Sequence, residues 1–186
     1  IQKDSFEKTA ARCRKAGVTV VAGGPVFESL PEHIPGIDSV IFNEAEAVPE
    51  FIDDLTVDRL KPVYRSDQRA DMRTSPVPLW ELLEMDRYAL MGLQYSRGCP
   101  FNCDFCNVTS MLGHKVRTKD TGQIIAELES LYRHKWRGDV FFVDDNFIGK
   151  RSVLKTELLP AVIKWMQERD FPFAFNTQVS LDMVDD

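Results

Sequence analysis

The sequence has neither a long apolar run nor an excess of basic residues. No apolar stretch approaches the roughly 20 residues that a membrane-spanning helix needs, and the first residues show no signal-peptide pattern. The 23 lysines and arginines face 29 acidic residues, for a net charge of −6, which argues against a general nucleic-acid-binding surface. A short basic stretch from His114 to Lys119 is typical of a solvated surface. We therefore expect a cytoplasmic protein with no membrane span and no nucleic-acid partner.

Cysteine is also scarce, with four in 186 residues. Cys13 stands alone in a helix-like segment, whereas Cys99, Cys103 and Cys106 lie within "CPFNCDFC". Disulfides are not expected, because cytosolic thiols stay reduced and the trio has an odd member. The hydrophobic fraction of 44%, with 10% aromatic residues, is enough for a packed core. The three clustered thiols therefore need another explanation.

The N-terminal third of the chain alternates helical and extended patterns. Residues 2–16 are helix-like, "VTVVAGG" at 18–24 and "IDSVIF" at 37–42 are typical of strands, and "VPEFIDDL" at 48–55 is again helix-like. This order predicts the final part of a doubly wound, Rossmann-like sheet. Because the chain opens on Ile1 and runs directly into a helix, we expect a fragment of a longer protein.

Residues 61–91 do not continue this alternation of helical and extended segments. The stretch predicts a linker, since Pro76 and Pro78 cannot continue a helix or a central strand. Residues 92–186 then repeat strand and helix. "LQYS" predicts a strand, Asp120 and Gln123 predict a helix-capping pair, and the unbroken apolar "VFFV" is typical of a strand buried in a parallel sheet.

The last part of the chain continues the same alternation. Ser152 is expected to cap a helix that Pro160 kinks, and "FAFNTQVS" at 173–180 predicts a third strand. Strand-helix-strand-helix-strand with short joints predicts parallel strands and right-handed crossovers.

The cysteine trio is compatible with two kinds of metal site. A structural zinc site needs four ligands, usually as two separated pairs. No second pair is present, and His114 as a fourth ligand matches no usual zinc-finger spacing. Iron-sulfur clusters are also held by thiolates, usually four, so three would leave one iron open to a substrate or cosubstrate. A zinc module, a cluster-bearing electron carrier and a cluster enzyme all remain open on the residues alone.

The three cysteines in "RGCPFNCDFC" resemble the C-x-x-x-C-x-x-C signature of the radical S-adenosylmethionine superfamily. The resemblance implies that Cys99, Cys103 and Cys106 hold a four-iron, four-sulfur (4Fe-4S) cluster on a partial (β/α) barrel. S-adenosylmethionine would chelate the open iron, and its reductive cleavage would yield a 5′-deoxyadenosyl radical. The family pattern also implies that Phe105 lies against the adenine, with simple loop packing as the alternative.

The carboxyl ends of the barrel strands are where such a site is expected. Many family members carry a Gly-Gly-Glu stretch that meets the methionine amino group, and this chain has Asp144, Asp145 and Asn146 there instead. A carboxylate or amide can accept from an ammonium, and the alternative is a strand-end turn with side-chain hydrogen bonds. Gln178, at the end of the third predicted strand, is a weaker candidate for the same pocket.

The N-terminal segment resembles the last third of a cobalamin-binding domain, in which Gly23 and Gly24 let the backbone approach the cofactor. A plain tight turn is the alternative for this glycine pair. The resemblance divides the chain into the end of a cobalamin-binding Rossmann-like domain (1–60), a linker (61–91) and the first half of a radical S-adenosylmethionine barrel (92–186).

"SRGCPFNCDFCNVTSMLGHKVRTKD" and "VFFVDDNFIG" are similar to a subgroup that includes hopanoid carbon methylases. This similarity implies cobalamin-dependent methylation of an unactivated carbon. It also implies a small-molecule or lipid-like substrate and an electron donor such as flavodoxin or ferredoxin. A cobalamin-linked radical cyclase or rearrangement enzyme is the alternative within the superfamily.

Overall fold

The structure is a computed structural model, and it describes residues 3–24, 27, 36–147 and 151–180. The chain divides into two compact units, Ile1–Asp71 and Met72–Asp186. Across the described ranges, no helix is long and apolar enough to cross a membrane.

The first unit contains three parallel strands. Its elements in chain order are helix α1 (Lys3–Lys15), strands β1 (Val21–Gly23) and β2 (Ser39–Ile41), a 3-10 turn (Ala45–Ala47), helix α2 (Glu50–Thr56) and strand β3 (Val63–Tyr64). The strand order is β1-β2-β3, and Val40 is in register with both Ala22 and Val63. The predicted helices and strands of this segment are confirmed, although both strands are shorter than their sequence patterns.

Strand β2 is buried on both faces and organises the first unit. Val40 and Phe42 pack with Phe27 on one side of the sheet, and Ile41 packs with Tyr64 on the other. Burial on both faces is the usual environment of a parallel strand. Because Tyr64 belongs to β3, the stretch predicted as a linker contributes a strand to this sheet.

The second unit holds a parallel sheet and a small antiparallel ribbon. Its elements are three 3-10 turns (Met72–Thr74, Trp80–Leu82, Met85–Arg87), strands β4 (Leu90–Leu93) and β5 (Ser96–Arg97), helix α3 (Val108–Leu112), strand β6 (Arg117–Thr118), helix α4 (Thr121–Arg133), strand β7 (Asp139–Phe142), helix α5 (Arg151–Val153), a π turn (Leu154–Leu158), helix α6 (Leu159–Gln167) and strand β8 (Ala174–Thr177). The parallel sheet has the order β4-β7-β8, and β5 pairs antiparallel with β6. The predicted α/β class with parallel strands is confirmed.

Helices cover one face of the β4-β7-β8 sheet. The core beneath that face contains buried residues of both the sheet and the helices, among them Met91, Leu93, Val140, Phe142, Ile124, Leu128, Leu131, Leu158, Val162 and Trp165. On the opposite face Leu90 and Val143 are exposed, and Gly92 between them has no side chain. The sheet therefore has one packed face and one open face, which also carries exposed Asp139 and Asn176.

Helix α4 begins as its sequence predicts. The Asp120 backbone N–H donates to Oε1 of Gln123 at 2.9 Å, and the capping box is complete. The Gln123 amide also donates to the carbonyls of Arg73 and Ser75 at 3.1 and 3.0 Å. The helix start is thereby fixed to the segment that precedes β4.

Two predictions of local structure were wrong. The strand placed at 93–96 is β4, which ends at Leu93, because Ser96 and Arg97 instead pair with β6. Ser152 lies within α5 and does not cap it, since the helical conformation already includes Arg151. The kink expected at Pro160 stays a prediction, and this proline is the second residue of α6, directly after the π turn Leu154–Leu158.

Candidate functional site

Three parallel strands of the second unit end at one edge of their sheet. Beyond the last paired residues, the Val143 N–H donates to the carbonyl of Leu93 at 2.8 Å, and the Phe147 N–H donates to the carbonyl of Gln178 at 3.0 Å. We call the segments 94–98, 143–147 and 178–180 the carboxyl edge. In open α/β sheets this edge is where ligands bind.

Asp144 is the most buried polar group of the carboxyl edge, with 1% of its surface exposed. One carboxylate oxygen accepts the Tyr95 N–H at 3.0 Å, and the other accepts both the N–H and the hydroxyl of Ser96. Burial raises the pKa of Asp144, while the bonds from Ser96 and Tyr95 oppose that shift. The carboxylate therefore connects the loop after β7 to the segment after β4.

The two neighbours of Asp144 differ from it and from each other. Asp145 is exposed, and partial desolvation raises its pKa. Asn146 is buried, and its Nδ2 donates to the hydroxyl of Ser180 at 3.0 Å. The structure thus brings the three predicted residues to one edge but leaves Asp145 as the most accessible of them.

Gln178 lies on the third segment of the carboxyl edge. Its side chain is exposed, and its carbonyl accepts the Phe147 N–H at 3.0 Å. The preceding residue, Thr177, donates from its hydroxyl to the carbonyl of Phe142 at 3.4 Å. The side chain of Gln178 is accessible to a cofactor, and the predicted contact stays a prediction.

The cysteine loop, residues 98–107, leaves the carboxyl edge through Gly98. This glycine has a φ of +95°, and a Cβ there would lie 2.8 Å from the Lys115 carbonyl oxygen and 2.9 Å from that of Gly113. The Cys99 N–H donates to the same Gly113 carbonyl at 3.2 Å. Together with the β5–β6 ribbon, these contacts fix the start of the loop against residues 113–118.

The three predicted metal ligands all lie on the cysteine loop. Cys99 is half-buried, Cys103 and Cys106 are exposed, and all three thiols are free. The Cys106 N–H donates to the Cys103 carbonyl at 3.0 Å, which makes a tight turn between them. Among the described residues, no three His, Cys, Asp or Glu side chains are arranged as a metal-binding group. Three free thiols on one short loop fit the thiolate chemistry of an iron-sulfur cluster, and their role as ligands stays a prediction.

Phe105 is 94% exposed on the same loop. The alternative considered for it, packing within the loop, is therefore not what the structure shows. A large aromatic side chain so fully exposed beside two thiols is available to stack on a planar ligand.

A buried ion pair behind the cysteine loop was not anticipated from the sequence. Nζ of Lys119 lies 2.5 Å from Oε1 of Glu127, and the side chains are only 7% and 1% exposed. The Lys119 N–H also donates to the Tyr95 carbonyl at 2.8 Å. One sequence signal does exist, since Glu127 shares the apolar stripe of α4 with Ile124 and Leu131, where a charge requires a partner.

Gly23 is the last residue of β1 in the first unit, and Gly24 follows it. A Cβ on Gly23 would lie 3.1 Å from the Ile41 carbonyl oxygen, so this glycine permits close approach of β2. Gly24 has a φ of +97° and, among the residues that the structure describes, nothing within 4 Å of its Cβ position. Gly24 therefore presents bare backbone at the carboxyl end of β1, which fits a close ligand approach, and the predicted cobalamin contact stays a prediction.

Comparison with known proteins places the chain among methyltransferases. No family model matches it. The chain is 39% identical over 189 residues to an uncharacterized methyltransferase of Synechocystis and 34% identical over 189 residues to the hopanoid C-2 methylase of Rhodopseudomonas palustris. These matches cover 100% and 99% of this chain but 35% and 36% of the relatives. The hopanoid C-3 methylase of Methylococcus capsulatus is 29% identical over 139 residues, which are 64% of this chain and 26% of that protein. The chain thus spans about a third of the length of the curated relatives that it matches most fully.

Proposed function

The chain belongs to the family of methyltransferases that includes the hopanoid C-2 methylase, and we propose that it forms part of a radical S-adenosylmethionine enzyme that methylates an unactivated carbon. The predicted relationship to hopanoid carbon methylases is confirmed by similarity along the whole chain. The whole enzyme's reaction, substrate and cofactors belong to the proposal, because the chain spans only about a third of these relatives.

One observation carries the proposal: a loop with three free thiols leaves the carboxyl edge of a parallel sheet and is fixed there at its start. Gly98 lies against the Gly113 and Lys115 carbonyls, and the loop then runs through Cys99, Cys103 and Cys106. Three thiolates leave one iron of a 4Fe-4S cluster without a protein ligand. A noncatalytic electron carrier has no use for such an opening, whereas S-adenosylmethionine can chelate there.

The proposed cofactors and the residues of the chain have separate roles. When bound, the cluster and S-adenosylmethionine would supply one-electron cleavage of the sulfonium and thereby a carbon radical. Cys99, Cys103 and Cys106 would hold the cluster, and Phe105 would stack on the adenine. We assign the contact with the methionine ammonium to Asp145, because it is the exposed carboxylate of the carboxyl edge and a charge-assisted hydrogen bond favours an ionised acceptor.

The fold supports the same assignment. We propose that the β4-β7-β8 sheet is the first half of a partial barrel, whose open face carries Leu90, Phe141 and Val143 toward the substrate cavity. The apolar part of that face, beside the polar Asp139 and Asn176, suits a lipid-like or other small apolar substrate. The first unit would be the end of a Rossmann-like cobalamin-binding domain, with Gly23 and Gly24 near the cofactor and the methyl group transferred from cobalamin.

The surroundings of the cofactors complete the proposal. Exposed Cys103 and Cys106 are thiols that stay reduced only in a reducing compartment, which favours a cytoplasmic location. Reduction of the cluster requires an external electron donor, for which a flavodoxin or ferredoxin is the natural class.

The test is anaerobic reconstitution of the full-length protein with iron and sulfide, followed by electron paramagnetic resonance with and without S-adenosylmethionine. The reduced protein should show a cluster signal that changes when S-adenosylmethionine is added. Changing Cys99, Cys103 and Cys106 to alanine should remove the signal. Cys13→Ala is the matched control and should keep it, because Cys13 lies in α1 of the other unit.

Three results would contradict parts of the proposal. A colourless protein with one zinc per chain, or a cluster indifferent to S-adenosylmethionine, would remove the radical mechanism. A responsive cluster without transfer of labelled methyl from S-adenosylmethionine to a product would favour the cyclase or rearrangement alternative.

A further inference from the structure

We propose that Asp144 is a positioning residue, whose buried carboxylate sets the start of the cysteine loop so that its thiols can bind the cluster. This inference rests on the proposed function and assigns a separate role to each of the two adjacent aspartates. Asp145 would contact S-adenosylmethionine directly, whereas Asp144 would affect cofactor binding only by positioning the cysteine loop.

The hydrogen bonds of Asp144 come from residues just before the cysteine loop. Its two oxygens accept three hydrogen bonds, from the N–H of Tyr95 and from the N–H and hydroxyl of Ser96. Ser96 is also buried, and it pairs with Thr118 in the β5–β6 ribbon. Because Gly98 and Cys99 follow within three residues, the orientation of this anchored segment determines where the first thiol lies.

The chemistry of the contact requires a carboxylate. All three neighbours donate, so only a side chain that accepts at both ends satisfies them. Asparagine has nearly the same shape, but its Nδ2 would face either the Tyr95 N–H or the Ser96 donors. Two facing donors at a buried site leave at least one of them unsatisfied. A role in packing alone would tolerate this isosteric change, whereas a positioning role would not.

The burial of Asp144 argues against direct contact with a cofactor in this conformation. Only 1% of its surface is exposed, while Asp145 next to it is exposed. Burying a carboxylate is costly unless it is paired or hydrogen-bonded, and the three donors offset that cost only while the residues before the loop stay in place. The charge thus stabilises one arrangement of the segment over its alternatives.

The first measurement is hydrogen exchange in the full-length protein without cluster, on peptides that cover residues 94–99. Asp144→Asn should speed exchange there by about tenfold or more, because hydrogen bonds to a charged acceptor are lost. Ser96→Ala removes only the hydroxyl donor and should give a smaller change of the same kind. Asp139→Asn, at the opposite end of β7, is the matched control and should leave these peptides unchanged.

The second measurement is iron content and spectral response after reconstitution. Asp144→Asn should retain less iron per chain, and the clusters that do form should still change their resonance on addition of S-adenosylmethionine. Asp145→Asn should retain as much iron per chain as the wild type, but its resonance should change less on addition of S-adenosylmethionine.

The outcomes separate this inference from the proposed function. A wild-type protein that forms no cluster contradicts the proposed function, and the exchange result still decides whether Asp144 fixes the loop. Unchanged exchange in Asp144→Asn overturns the inference, as does normal iron content with a lost S-adenosylmethionine response. If Asp144→Asn does not fold, Ser96→Ala decides: faster exchange at 94–99 supports the inference, and unchanged exchange overturns it.

Discussion

Replacing Gly98 by alanine should destabilise the second unit more than the same change at Gly113. Both glycines flank the contact that fixes the cysteine loop, and both have a positive φ, +95° and +86°. They differ in their surroundings. A Cβ on Gly98 would lie 2.8 and 2.9 Å from two backbone carbonyl oxygens, whereas a Cβ on Gly113 would have no atom of the described residues within 4 Å.

The expected magnitudes follow from that difference. A side chain at such a positive φ costs about 1–3 kcal/mol at either position. At Gly98 the contact with the Lys115 and Gly113 carbonyls adds overpacking, typically about 1–3 kcal/mol. The lower entropy of the unfolded chain after a glycine-to-alanine change is similar for both and cancels in the comparison. The difference between the two variants is therefore expected to be about 1–3 kcal/mol.

Urea unfolding followed by tryptophan fluorescence measures this difference. The chain has three tryptophans, Trp80, Trp136 and Trp165, and all of them lie in the second unit, so the signal reports on that unit. Hydrogen exchange of the Cys99 amide shows in parallel whether the loop start detaches. If Gly98→Ala were no less stable than Gly113→Ala and left the Cys99 amide equally protected, the steric argument would be refuted.

Four further predictions concern helix α4, and urea unfolding by tryptophan fluorescence checks each of them. Lys119→Met should lower the free energy of unfolding by about 3–5 kcal/mol, since it leaves buried Glu127 without its cation, whereas the double change Lys119→Met with Glu127→Leu should lie much closer to wild type. Burial raises the pKa of Glu127 above its ordinary 4.5. Its contribution to stability should therefore be complete below that value and be lost as pH rises through the raised pKa, and Glu127→Gln should remove this pH dependence. Leu128→Ala should cost about 2–5 kcal/mol, because this core side chain is fully buried. Gly122→Ala should stabilise by about 0.5–1 kcal/mol, because it adds a helix-forming residue where nothing lies within 4 Å.

Local signals in the sequence predicted the parallel α/β framework well. The apolar run that contains Val140 and Phe142 became a buried strand, and the Asp120 and Gln123 pair became a complete capping box. These features depend on residues within a few positions of one another. Short-range patterns were therefore sufficient to predict them.

Long-range pairing explains what the sequence did not predict. The sequence predicts a strand that joins Ser96 to the residues before it, but Ser96 pairs with Thr118 and donates hydrogen bonds to Asp144, 48 residues away. No sequence pattern near Ser96 predicts either partner. The ion pair of Lys119 and Glu127 is an intermediate case, because an acidic residue on the apolar stripe of α4 is a local sign of a buried partner whose identity only the fold supplies.

The different environments of Asp144 and Asp145 follow from the alternation of an extended chain. Side chains of successive extended residues point to opposite faces of a sheet. Val140 and Phe142 are buried in the packed face, Val143 is exposed on the open face, and the alternation continues past the end of β7. Asp144 therefore falls on the buried side, where the amides of Tyr95 and Ser96 need an acceptor, and Asp145 falls on the open side. If each aspartate has its proposed role, inserting one residue after Phe142 should move Asp144 to the open side and Asp145 to the buried side and abolish both roles.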